Sequence, residues 1–149
     1  MKTSNAPRFW IGVASKNHVG NGLKLGICQF CHGKKGPAQR LKKGDYIIYY
    51  SPKVTMEGSE QYQKFTAIGV VTDDTAYQAE VAPDFRPFRR NVSYFANAQH
   101  VAIKPLIDDL PFIRVKKSWG AAFRYGFLEI DAASFGIITQ AMIGRNPAH

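Results

Sequence analysis

Asp45–Ser51, DYIIYYS, is the clearest strand in the chain, rich in the Tyr and Ile that suit a pleated, packed surface. Pro52 closes it, because proline brings no N–H to a ladder. Upstream, Phe9–Ala14 (FWIGVA) is an apolar run bounded by polar residues and predicts a buried strand. Ser15 follows it and can cap a short helix over Lys16–Val19, which Gly20, Gly22 and Gly26 are expected to stop. Residues 28–44 read as a basic loop, in which Pro37 opens one helical turn and Gly44 ends it. Downstream, Gln63–Thr72 predicts another strand, with Gly69 marking a bulge. Ala76–Val81 and Phe88–Phe95 predict two more. Between them, the stretch APDFRPFRR carries two prolines and cannot be a central strand. His100–Ile103 is a short extended piece, Pro105–Leu110 a helical turn and Phe123–Ile130 a last strand. Asp131 then caps a helix over Ala132–Ile143, where Phe135, Ile138 and Met142 lie at helical spacing.

Strands therefore dominate and do not alternate regularly with helices, which argues against a parallel doubly wound sheet. The fold class expected is α+β: a small mixed, mainly antiparallel β-barrel flanked by short helices. At 149 residues the chain is one domain, residues 1–149, with 1–8 expected to be disordered. Hydrophobic residues are 45% and charged residues 21%, the balance of a globular domain rather than of a disordered chain, a fibre or a disulfide scaffold. No apolar run approaches the length of a membrane span. The start, MKTSNAPRFW, lacks the apolar core of a signal peptide, which points to a cytoplasmic protein.

Lys and Arg number 20 against 11 Asp and Glu, a formal charge of +9. Such an excess on one small domain suits a nucleic-acid partner. The cations cluster as Lys34 and Lys35; Arg40, Lys42 and Lys43; Arg86, Arg89 and Arg90; and Arg114, Lys116 and Lys117. Phe30, Tyr46, Phe85, Phe88 and Trp119 lie next to them, and aromatics make up 13% of the chain. Lys and Arg neutralise phosphates while flat rings stack on unpaired bases.

Other chemistry is poorly supported. Cys28-Gln-Phe-Cys31-His32 fits the pattern of c-type haem attachment, but that requires an exported context. A structural zinc site needs four ligands, and only His18, His32, His100 and His149 could join the two cysteines. Two ordinary reduced thiols are the preferred reading, with no metal and no cofactor. There is no hydrolase elbow, no Walker A ending after Gly33-Lys-Lys-Gly36, and no dyad in Asp73-Asp74 or Asp108-Asp109. Ser15 and His18 could share a helix face, yet no third catalytic group is evident. The rivals to a non-enzymatic nucleic-acid binder are an enzyme acting on nucleotides or nucleic acid, and a small-molecule or metal-binding protein using Cys28, Cys31 and His32.

Seven ordered blocks between about Arg8 and Ile143 resemble the EVE domain family: WIGVASKNHVG from Trp10, GICQFCHGKK from Gly26, LKKGDYIIYYSP from Leu41, FTAIGVVTD from Phe65, PFRR from Pro87, PLIDDL from Pro105 and KSWGAAFRYG from Lys117. The resemblance implies a PUA-like barrel related to YTH domains, which hold a methylated adenine of RNA in an aromatic cage, and to domains that take flipped, modified cytosine. It implies recognition of a modified, methylated base in RNA or DNA, with proteins of a restriction or RNA-modification pathway as further partners. By the same resemblance the base pocket would be formed by Ser15, Lys16, Asn17 and His18, by Tyr49, Tyr50 and Ser51, and by Trp119 with Phe123 and Arg124. Trp119 is the expected cage wall, and His32-Gly33-Lys34 would close one rim. Lys34, Lys35, Arg40, Lys42, Lys43, Arg89, Arg90, Lys116 and Lys117 are the expected contacts to the nucleic-acid backbone.

Overall fold

A computed structural model of the chain describes residues 6–148. Strand β1 (Phe9–Val13) lies parallel to β3 (Tyr46–Lys53), pairing Phe9 with Tyr46 through Val13 with Tyr50. β8 (Phe127–Ile130) runs antiparallel along the other edge of β1, and β4 (Gln61–Val71) antiparallel along β3. β6 (Phe88–Tyr94) continues the sheet beyond β4 and pairs with the two-residue β2 (Ile27–Cys28). The order is β2-β6-β4-β3-β1-β8, with β5 (Tyr77–Gln78) on β6 and β7 (Val101–Ala102) on β4. One parallel pair among antiparallel ones makes a mixed sheet, which curls into a half-barrel with a few short helices.

Both faces of this sheet are covered, which explains why DYIIYYS has no polar gap. Ile48 and Tyr50 face one core with Ile11, Phe65 and Ile68, closed by Phe135 and Ile138 of α3 (Ala132–Ile143). Ile47 and Tyr49 face a second core with Trp10, Phe30, Ala67 and Phe127. Tyr49 and Tyr50 are each only 2% exposed, so alternation sends them to two different cores and neither to solvent.

Two buried charged groups tie loops to the sheet. The Asp45 carboxylate accepts hydrogen bonds from the Arg8 and Lys42 backbone N–H groups and from Trp10 Nε1, each at 3.0 Å. Arg8 is thereby held at the start of β1, while residues 1–5 of the stretch expected to be disordered lie outside the described residues. Arg90, 1% exposed, donates from Nε to Asp73 at 2.7 Å and from NH1 to the carbonyls of Ala38 and Leu41.

Several boundaries differ from expectation. Helix α1 runs Lys16–Leu25, straight through Gly20 and Gly22. Ser15 Oγ accepts from His18 N–H at its start, Val19 anchors it in the second core, and left-handed Gly26 ends it. Gly22 serves a close approach: a Cβ there would lie 3.0 Å from the Ile27 carbonyl. Helix α2 is Lys35–Arg40, inside the stretch read as basic loop. The register shifts of the β3–β4 pair fall at Tyr49/Tyr50 and Ser51/Lys53, not at Gly69, and β3 continues one residue past Pro52. Gly69 instead makes room, since a Cβ would meet Val92 Cγ1 at 2.4 Å. The strand expected from Phe123 starts only at Phe127, because Lys116–Phe123 is a 3-10 segment. Among the described residues no helix is long and apolar enough to cross a membrane.

Candidate functional site

The end of β1, the start of α1 and the turn before β8 enclose a cavity of about 460 Å³. That is within the range of small-molecule sites. Ser15, His18, Gln29, Cys31, His32, Phe123, Arg124 and Tyr125 are among the residues that line it. Lys34, Lys53 and Arg124 bring three cations to it, and among the described residues no carboxylate lines it.

Local backbone explains the shape. Cys31, His32 and Gly33 take successive left-handed conformations, with φ of 53°, 61° and 80°, and turn the chain back under the cavity. Gly33 is required there, because a Cβ would sit 2.2 Å from Pro87 Cβ. Cys31 Sγ donates to the Tyr125 carbonyl at 3.3 Å, linking this turn to the opposite wall. Tyr125 itself is 81% exposed. Burial, then the charges of His32 and Arg89, push the His18 imidazole below its ordinary pKa, so it is neutral near pH 7. A neutral imidazole offers one donor and one acceptor.

A second cavity, about 380 Å³, shares His18 and Gln29 with the first and adds Ile27, Tyr49, Phe85 and Arg89. Arg89 Nε donates to Gln29 Oε1 at 2.8 Å and fixes the amide between the two. A third, about 470 Å³, lies on the other side of α1 and takes Lys16 and Asn17.

The residues expected to form one pocket are therefore divided. Lys16 and His18 are two positions apart, about 200° around a helix, so they face different cavities. Tyr50 is core: burial raises its hydroxyl to about 12, and its ring stacks on Phe123 at 4.3 Å. Trp119 stands edge-on to Tyr50 at 6.5 Å, half-buried against the first core, and is not among the residues lining the cavity. At three residues per turn, Trp119 and Phe123 point about 120° apart, and Phe123 is the ring that reaches the cavity. Ser51 is fully buried and hydrogen-bonded to Thr66 at 2.9 Å. Tyr49 lines only the second cavity, and its hydroxyl donates to the Gln29 carbonyl.

The cations are divided too. Arg90 is buried and neutralised by Asp73, so it cannot reach a phosphate. Lys116 Nζ donates to the carbonyls of Ile107 and Leu110, closing the 3-10 segment Lys104–Asp109. Arg40 lies over the Trp10 and Phe127 rings at 5.1 and 5.5 Å, and Lys35 over Phe88 at 5.7 Å. Lys42, Lys43 and Lys117 are exposed away from the first cavity's lining.

Cys28 is buried in β2, where burial raises its thiol, while Cys31 faces Tyr125. Among the described residues no three His, Cys, Asp or Glu side chains gather as a metal would need. Ser15 Oγ is engaged with the backbone N–H of His18 rather than its ring, which is not a nucleophile–base pair.

The EVE domain model matches residues 8–141. The chain belongs to the EVE domain family. Its relatives include UPF0310 proteins of Streptococcus mutans, 44% identical over 91% of this chain and 96% of the relative, and of Streptococcus gordonii, 48% identical over 86% and 88%. Among solved structures, this EVE domain is similar to a hypothetical protein from Leishmania major, at TM-score 0.59 and 11% identity over 93% and 96% of the two chains. It is also similar to the YTH domain of Zygosaccharomyces rouxii MRB1, solved with N6-methyladenosine RNA, at TM-score 0.54 and 16% identity over 95% and 90%. These likenesses show the fold.

Gln29, Cys31, Lys53, Met56 and Tyr125 line the EVE domain's first cavity although the sequence pattern did not single them out for a base pocket. Tyr125 could have been found from its place beside Phe123 and Arg124. Lys53 ends β3 and Met56 lies in the polar stretch after it, with no motif to mark either.

Proposed function

We propose that the protein binds a single modified base of RNA or DNA in the cavity between Ser15, His18 and Tyr125, without catalysing a reaction. The observation that carries this reading is the lining itself: rings, hydrogen-bonding groups and three cations, with no carboxylate. A base brings a flat apolar face, a polar edge and a negatively charged backbone, and each meets its complement here. The exposed Tyr125 ring offers a stacking surface, and the largely buried Phe123 ring an apolar patch of wall. Ser15, His18 and Gln29 offer polar groups for the edge. Lys34, Lys53 and Arg124 supply positive charge for phosphates. The fold neighbour solved with N6-methyladenosine RNA supports methylated adenine as the first base to try.

A methyl group buried against these walls contributes about 0.8 kcal/mol, a few-fold preference. The test is a binding screen of single-stranded oligonucleotides carrying N6-methyladenine, 5-methylcytosine or no modification, as RNA and as DNA. At least one modified strand should bind at least a few-fold more tightly than its unmodified counterpart. Equal affinity for all strands would leave a generic cationic surface and defeat the reading.

A further inference from the structure

We propose that the third cavity, on the far side of α1, is a phosphate-binding site. Lys16 and Lys24 line it with His100. At its edge, Lys16 Nζ and Lys64 Nζ both lie over the Tyr62 ring, 5.1 and 4.8 Å from its centroid. The two ammonium groups are thus no more than about 10 Å apart. They sense each other's charge at ordinary salt. Among the described residues no carboxylate lies within ion-pair distance of Lys16, Lys24 or Lys64, and none lines the cavity.

The imidazole is held in place. Tyr62 Oη and His100 Nδ1 are 2.6 Å apart, with the rings edge-on. With the hydroxyl donating to Nδ1, neutral His100 carries its proton on Nε2, a donor. Burial and the charges of Lys16 and Lys64 press the ring toward that neutral form. A phosphate beside those lysines reverses their effect and lets the ring take a second proton. Two ammonium groups and an imidazole around a concavity suit a tetrahedral anion. Two sources share this chemistry: the backbone of a strand whose base occupies the first cavity, across α1, and a free phosphorylated small molecule. The first source rests on the proposed base binding; the site does not.

The test is an NMR titration of the His100 ring with inorganic phosphate, a nucleoside 5′-monophosphate and a short unmodified oligonucleotide. Phosphate should shift the His100 resonances in a saturable way and raise the pKa of that ring. Lys64→Gln and Lys16→Gln should each weaken phosphate binding about tenfold, the scale of one hydrogen bond to a charged group. If Lys64→Gln also lowers the salt slope of oligonucleotide binding by about 0.7, the site holds a strand's backbone. If oligonucleotide binding is unchanged while the monophosphate is lost, it holds a free phosphorylated molecule. Either outcome supports the site, even where no base preference is found. An unmoved His100 pKa, or phosphate binding untouched by both variants, overturns it.

Discussion

Arg90 and Lys34 carry the same charge and answer to different forces. Arg90 is enclosed, its guanidinium shared among Asp73 and the carbonyls of Ala38 and Leu41. Arg90→Ala should cost about 3–5 kcal/mol, because Asp73 and two carbonyls lose their partner. Lys34 is exposed at the cavity, so Lys34→Ala should leave stability within about 0.5 kcal/mol. Chemical denaturation of the two variants checks both figures. The aromatic residues separate in the same way. Trp119→Ala should lower stability by about 2 kcal/mol, roughly half the cost at a fully buried site, and leave base binding unchanged. Tyr125 is 81% exposed, so Tyr125→Ala should stay folded and lose about 1–3 kcal/mol of base binding. Unchanged binding in Tyr125→Ala would remove that ring from the site.

Helix α1 decides which side chains meet; it runs through Gly20 and Gly22 and stops at left-handed Gly26. Gly20 lies in the helix interior with open space where a Cβ would go. Gly20→Ala should therefore raise stability by about 0.5–1 kcal/mol, read as a higher melting temperature. Gly33 is the opposite case, with a left-handed φ of 80° and Pro87 against it. Gly33→Ala should cost at least about 1–2 kcal/mol and disturb the resonances of Cys31 and His32. Strands β1, β3, β4 and β6 are legible because runs such as FWIGVA and DYIIYYS are apolar and unbroken, whereas the two-residue β2 is not, and the strand expected over Ala76–Val81 is only Tyr77–Gln78. The sequence also placed α3, through Asp131 and the spacing of Phe135, Ile138 and Met142. It did not show α1 at full length, since Gly20 and Gly22 are poor helix formers whose local cost is outweighed by capping at Ser15 and burial of Val19. Even the shorter helix expected over Lys16–Val19 sets Lys16 and His18 about 200° apart, but the family resemblance groups Ser15–His18 as one block and so as one site. Trp119 lies beside Tyr50 and off the cavity lining because of the 3-10 segment Lys116–Phe123, which no apolar periodicity reveals.

At the scale of the molecule, +9 is an excess of cations of which some serve the fold and some face solvent. If Lys34, Lys53, Arg124 and one further lysine meet phosphates of a single strand, log affinity against log salt should fall with a slope near −3. Proton linkage gives an independent check. His18 and His100 both titrate below their ordinary value of 6.5, chiefly through burial. The unfolded chain then binds more protons than the folded one below about pH 6.5. Stability is fullest above that pH and declines as pH falls below it, toward the lowered values. His18→Gln combined with His100→Gln should flatten this decline between about pH 6.5 and 5, where carboxylates still titrate little. A decline of the same slope in the double variant would show that other groups cause it.

The most direct test of the central claim is to locate the base. Labelled protein titrated with a single strand carrying the preferred modified base should show its largest shifts at Ser15, His18, Gln29 and Tyr125, with nuclear Overhauser contacts from the modifying group to Phe123 or Tyr125. Saturable binding whose shifts and contacts fall elsewhere, with those residues unmoved, would contradict it.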